Sequence, residues 1–284
     1  MQALDIVLDV LNKNIVEKVS EKTRRGPKGY KLLLRLRLLL YTVLIEIFET
    51  RNLVRHFEQK SFALAKLGYK KMPSRRTIDR WKKKHDFELG QLIKLTGNKY
   101  LQLNESEWTI LDSTPLVDEA DPDATVGHNS QGQFIGFKLH MSCDEHEVPL
   151  RAEFTQAHVH DSQKAHEILA PTPRVGGDAA YDFEELKESV KGQGSRGTFV
   201  HNPRREGKEA KKKTPKILKA VRIIIEECNG FVKSKVMKHC WTMFKGLKAK
   251  ATFALTAVLA MQALAIYNLK RFGYPSIRIA HLRV

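Results

Sequence analysis

WTILDSTP, at residues 108–115, is the stretch on which the reading of the chain turns. Trp108, Ile110 and Leu111 favour a strand, and Ser113, Thr114 and Pro115 are expected to end it, which puts Asp112 at a strand's carboxyl end. An acid so placed is a candidate ligand, although on this stretch alone a solvated turn residue is an equal alternative. The pattern returns in RVGGDAAYD at 174–182, a short strand followed by an exposed acid, Asp178, and then a helix from about 183 to 190. A third acid, Glu226, falls near the end of a helix expected over 215–227, with Ile217, Leu218, Val221 and Ile225 along one face.

Around these acids the central region reads as α/β. Residues 134–143 and 148–154 suggest a hairpin of two strands, so three consecutive strands open the region. Residues 118–133 read as a polar loop whose acids are mostly surface charges. AHVHDSQKAHEIL at 157–169 reads as a loop feeding a helix capped by Asp161 or Ser162, and 198–200 as a further strand before a basic loop at 201–213. Residues 252–269 carry no charge. Thr252, Thr256, Gln262 and Asn268 dilute the stretch, so an Ala-rich helix packed on the sheet is expected there and not a membrane span.

The first hundred residues are different in kind. Apolar periodicity predicts helices over 1–20, 32–48 and 52–67, with a basic loop at 22–31. PSRRTIDRWKKKH at 73–85 predicts a short basic helix in which Ser74 is the cap. Ile78 and Trp81 lie on its apolar face, and Arg75, Arg76, Arg80, Lys82, Lys83 and Lys84 are its cations. A basic helix after two apolar ones suits a helix-turn-helix reader of double-stranded DNA, with a solvated lysine face as the plainer alternative. The organisation expected is an all-α, basic DNA-binding region over 1–104 and a catalytic domain over 105–284.

The net charge of +17 is unevenly distributed. Residues 1–100 hold 23 bases against 10 acids, 101–200 hold 7 against 18, and 201–250 hold 15 against 4. Basic flanks around an acidic centre suit a protein that grips a polyanion and keeps divalent cations in the middle. Arg271, Arg278 and Arg283 could add phosphate contacts. Three cysteines without metal-type spacing argue against a disulfide framework and fit a reducing cytoplasm. The acid-containing N-terminus does not read as a signal peptide.

Three carboxylates brought together from separate elements can hold two divalent ions about 4 Å apart, one activating the attacking oxygen of a phosphodiester displacement and the other stabilising the leaving oxygen. Hard Mg²⁺ calls for oxygen ligands. From about residue 30 onward the chain resembles the DDE transposases of bacterial and archaeal insertion sequences. The likeness rests on LDST at Asp112, GQFIGFKLH at 132–140, AHVHDS at 157–162, GGDAAYD at 176–182 and RIIIEECNGFVK at 222–233. In the last block Arg222, Glu226 and Lys233 repeat the family's spacing, which selects Glu226 over Glu227.

The resemblance implies a ribonuclease H-like mixed sheet flanked by helices, with Asp112, Asp178 and Glu226 as a triad for two Mg²⁺ ions, or for Mn²⁺ as a substitute. It implies that Arg222 and Lys233 contact DNA phosphate. The activity implied is strand cleavage at the element's terminal repeats and transfer into target DNA, by a homodimer in a DNA complex. A catalytically idle DNA-binding derivative and a nuclease without strand transfer are the alternatives. Two departures stand out: Lys219 occupies a position where the family often has tyrosine, and only 48 residues separate Asp178 from Glu226, too few for the β-rich insertion of some relatives. His158, His160 and Asp161 are expected to shape their loop rather than do chemistry.

Overall fold

A computed structural model describes residues 2–19, 29–129, 132–202 and 216–278. Most of the two basic loops anticipated at 22–31 and 201–213, and Arg283, lie outside the described residues.

The N-terminal region is helical, with more breaks than the periodicity suggests. Helix α1 spans Gln2–Val10 and α2 spans Lys13–Glu17, where one helix was expected. Asn12 separates them, its side chain accepting from the Ile15 amide at 3.0 Å. The leucine-rich run forms α3, Leu32–Leu44, and stops short of Phe48 because Glu46 turns left-handed at φ 58°. Lys60 likewise divides the next predicted helix into α4, Thr50–Gln59, and α5, Ser61–Lys66.

Ser74 caps α6, Arg75–Trp81, as expected, accepting from Thr77 N at 3.3 Å. Ile78 and Trp81 are buried, while Arg75, Arg76 and Arg80 are exposed. Lys82 departs from the expected basic face. It turns inward to donate to Phe48 O at 2.6 Å and Thr50 Oγ1 at 2.8 Å, and burial lowers its pKa to about 8. A helix not anticipated, α7, runs from Asp86 to Leu103.

Strand β1, Trp108–Val117, is longer than predicted, and Pro115 does not end it. Its pairing with the parallel neighbour stops at Leu111, so beyond that point one edge of the strand is open, the setting in which proline is tolerated. The predicted polar loop contains β2, Thr125–Asn129, which pairs with the outer end of β3, Gly132–Cys143. β4, Pro149–Gln156, completes the expected hairpin. β5, Arg174–Gly177, and β6, Arg196–Phe199, follow, with α8, Glu184–Gly192, between them.

β3 lies antiparallel to β1, β2 and β4, whereas β5 runs parallel to β1 and β6 to β5. The order β4-β3-β1-β5-β6 with these directions is a ribonuclease H-like mixed sheet, preceded by an all-α region. The segment after Ala157 is corrected: a 3-10 turn, Asp161–Lys164, replaces the expected helix, and His160 caps it.

Helices cover both faces of the sheet. α8 and Tyr181 enclose Leu111 and Val175 on one side. α9, Lys216–Phe231, packs Leu218, Val221, Ile225 and Cys228 into the larger core with Ile110 and Leu116. Ile217, expected on that face, is exposed. The charge-free C-terminal stretch is α10, Leu247–Phe272. It is long and apolar enough to cross a membrane, yet its apolar window is wholly buried within the fold.

Asp118 and Asp121 are not surface charges as expected. Both are buried around Lys250, whose ammonium donates to Asp118 Oδ2 at 2.6 Å and to the carbonyls of Trp241 and Phe244 at 2.9 and 2.6 Å. Breaking such a pair would leave an uncompensated buried charge, so it ties the loop after β1 to α10.

Candidate active site

The register of the sheet brings two acids together. Leu111 and Gly177 form the last rung between β1 and β5, so Asp112 and Asp178 occupy the next position on neighbouring strands, where spacing is about 4.8 Å. Alternation along β1 puts Asp112 on the same face as Ile110, toward α9. The glycines before Asp178 permit this approach. A Cβ on Gly176 would come within 3.5 Å of Leu218 from α9, and one on Gly177 within 3.0 Å of Tyr181 on the opposite face.

Confinement shows in the proton affinities. Burial, then the charge of Asp178, raises the Asp112 pKa to about 7, with Asp161 adding to the rise and the Ser113 amide and Arg222 opposing it. Burial also raises Asp178, with Asp161 contributing, although Asp178 Oδ1 accepts from Ala180 N at 2.9 Å as the cap of the turn that follows. Two carboxylates this close resist ionising together unless a cation lies between them.

Glu226 is placed differently. It lies on the same face of α9 as Arg222 and Asn229, but its side chain is 59% exposed and pairs with Arg222 at 3.4 Å. The structure thus brings Asp112 and Asp178 together and leaves the Glu226 carboxylate outside that pair. Among the described residues, no three His, Cys, Asp or Glu side chains are gathered so as to hold a metal ion. Lys233, in the π-helical turn after α9, is half-buried near Asp112, and burial lowers its pKa against the pull of that carboxylate.

Two further residues belong to the site. Asn229 is 4% exposed and donates from Nδ2 to Asp112 Oδ2 at 2.9 Å. Asp161, expected only to shape its loop, accepts from Lys138 Nζ at 3.0 Å and sits 3.5 Å from His140 Nδ1. Burial lowers the His140 pKa to about 4, so near neutral pH the imidazole is uncharged and Lys138 is the cation facing Asp161. The helical period offered a signal for Asn229, which lies three residues after Glu226 and four before Lys233.

The donors suit a hard divalent cation: Asp112 and Asp178 follow the last β1–β5 rung, their carboxylates are the oxygen ligands such an ion prefers, and burial first, then nearby acids, raises the proton affinity of both. A ribonuclease H-like sheet with such a pair where its central parallel strands β1 and β5 part suits metal-assisted phosphoryl transfer.

The Transposase DDE domain family model matches residues 104–262, more than half of the chain, and the chain belongs to that family. It is a transposase, of an enzyme class that cuts and rejoins DNA in recombination and typically uses a divalent metal. A solved structure of a piggyBac transposase synaptic complex with hairpin DNA is 10% identical, with a TM-score of 0.43, covering 98% of this chain and 75% of that one. That likeness is too slight to build on. Comparison with curated proteins gave no match.

Proposed function

We propose that this transposase cuts DNA at the terminal repeats of its own element and joins the freed 3′ hydroxyl to target DNA, with Asp112, Asp178 and Glu226 as its metal-binding triad. The observation that carries this reading is the adjacency of Asp112 and Asp178 across the β1–β5 edge. Glu226 lies on the α9 face that already reaches Asp112 through Asn229, and its present partner is an exposed arginine. Exposed pairs of this kind are worth about 0–1 kcal/mol, so the side chain is free to exchange Arg222 for a cation.

Two Mg²⁺ ions, or Mn²⁺ in their place, would supply charge neutralisation at the attacking and leaving oxygens. The chain's own part is positioning. The sheet register sets Asp112 against Asp178, Asn229 holds the first, and the Ala180 amide holds the second. Arg222 and Lys233 offer cations beside the acids for the phosphate being cut. Residues 1–104 would grip double-stranded DNA through the exposed arginines of α6, with 105–284 as the catalytic domain. The two regions share a hydrophobic core extending from Leu4 to Ile277, so DNA held by one is positioned relative to the other. The working form would be a homodimer on paired element ends.

The test is incubation with Mg²⁺ or Mn²⁺ and DNA carrying the native element ends, followed by mapping of the strands. Cleaved ends and joined products are expected from the wild-type protein and neither from Asp178→Ala. Retained nicking by that variant would overturn the assignment, and cut ends that never join would reduce the function to that of a nuclease.

A further inference from the structure

Asn229 sits where an apolar residue would ordinarily cover the sheet. It follows Cys228, is itself 4% exposed, and belongs to the α9 surface that packs on β1. A primary amide has two donors and an acceptor of two lone pairs, and burying it without satisfying them is unfavourable. One donor is engaged, with Asp112 Oδ2 at 2.9 Å. With Asp112 ionised, as a metal ligand must be, that contact also fixes the amide's orientation, since turning it over would set Oδ1 against a carboxylate oxygen. Oδ1 is thereby aimed elsewhere, and it has no hydrogen-bond partner among the described residues. A buried acceptor left so carries its full desolvation penalty.

We propose that Asn229 is a positioning residue of the transposase site: Nδ2 holds the Asp112 carboxylate in its ligating orientation, and Oδ1 accepts from a water in the shell of the cation that Asp112 binds. This inference rests on the reading of Asp112 as a metal ligand. The two halves of the amide support each other. The donor half adds to the Ser113 amide a second restraint on the Asp112 carboxylate, whose χ2 torsion is intrinsically broad. The acceptor half is satisfied only when a donor enters, and cation-bound water is the donor that two neighbouring carboxylates would recruit. Residues that orient a ligand in this way typically contribute 10–100-fold to metal affinity or activity.

The test compares Asn229→Leu, of similar volume without polar atoms, with wild type, using Mn²⁺ as the probe and calorimetry or electron paramagnetic resonance as the readout on the full chain. Mn²⁺ affinity is expected to fall about 10-fold or more. Cleavage kcat should fall by a similar factor in limiting metal, with KM for element-end DNA unchanged. Asn229→Ala provides the same measurements should the leucine variant not fold. Wild-type Mn²⁺ affinity in the folded variant, or a loss confined to KM for DNA, would overturn the proposal. Asp112→Ala separates the two levels. If it loses Mn²⁺ while Asn229→Leu does not, only the role of Asn229 fails; if it too binds Mn²⁺ normally, the ligand reading of Asp112 fails first.

Discussion

The two sides of the active site are built on different principles. Asp112 and Asp178 come from neighbouring strands, and each is placed by the backbone ladder that ends one residue before it. Glu226 comes from a helix, and its placement is set by a side-chain rotamer and an exposed partner, Arg222. The strand acids are confined and hold their protons too tightly, whereas the helix acid is solvated. The contrast teaches that the pair is formed by folding itself, while on the proposed reading the third member would have to be brought in by the loaded complex. Folding both strand acids into place without a cation has a cost, and an exposed Glu226 keeps a third charge from adding to it.

The largest expected effect puts all three acids on an equal footing. Asp112→Ala, Asp178→Ala or Glu226→Ala should each lower element-end cleavage at least about 10³-fold, a loss comparable to removing a principal transition-state stabiliser. DNA binding in a gel-shift assay should be largely unchanged. If Glu226→Ala cuts at near wild-type rate while the strand variants are dead, the site is a pair and the helix acid is outside it.

Stability should then separate what activity does not. A carboxyl whose folded pKa exceeds its unfolded value binds more protons in the native state, so its contribution falls as pH rises between the two values. For Asp112, those limits are the ordinary carboxylate value near 3.8 and about 7. In metal-free buffer, Asp112→Asn should therefore be more stable than wild type by a margin that grows from pH 4 to 7 and levels off above. Fully expressed, it is on the order of 4 kcal/mol, or roughly 7–15 °C in Tm. A margin that is flat with pH would show that the carboxyl titrates normally.

How much of this was legible in the sequence follows the same division. Asp112 and Asp178 could be read because a short apolar run ending in an acid is a local pattern. Glu226 could be picked only because its spacing from Arg222 and Lys233 matches that of the family the chain resembles, and such a match says nothing of where a carboxylate points. Asn229 escaped because its partner is 117 residues away in the chain; its helical spacing from Glu226 and Lys233 puts it on their face but says nothing of its burial or its contact with Asp112. α7 escaped although its buried residues, Leu89, Leu92, Ile93, Thr96, Gly97 and Tyr100, follow a helical period. Two of those positions are not hydrophobic, and Gly97 is there because a Cβ would come within 2.3 Å of the Leu150 carbonyl on β4. β1 was cut short at Pro115 because the open edge beyond Leu111 is a property of the sheet, not of the strand.

The N-terminal arginines offer a smaller effect that sharpens the contrast from outside the site. Arg75, Arg76 and Arg80 project from α6 without burial. If each meets one DNA phosphate, replacing any of them by Ala should weaken binding similarly for specific and unrelated sequences. The slope of log affinity against log salt should become shallower by about 0.9 per residue removed. An unchanged slope would take that arginine out of the interface. Cleavage at saturating DNA should hold, because none of the three lies among the acids.

The smallest effect is the most direct probe of the solvated half. The Arg222–Glu226 pair has both side chains substantially exposed, at 44% and 59%. Water screens such a pair, and holding two long side chains together costs rotamer freedom, so i,i+4 pairs are typically worth about 0.3–0.5 kcal/mol. Glu226→Gln should accordingly move the metal-free Tm by no more than about 2 °C. A drop of several degrees would mean that the pair braces α9 against the sheet. Glu226 would then be a structural anchor held by Arg222, without the freedom to turn toward Asp112, and the difference between the two sides of the site would disappear.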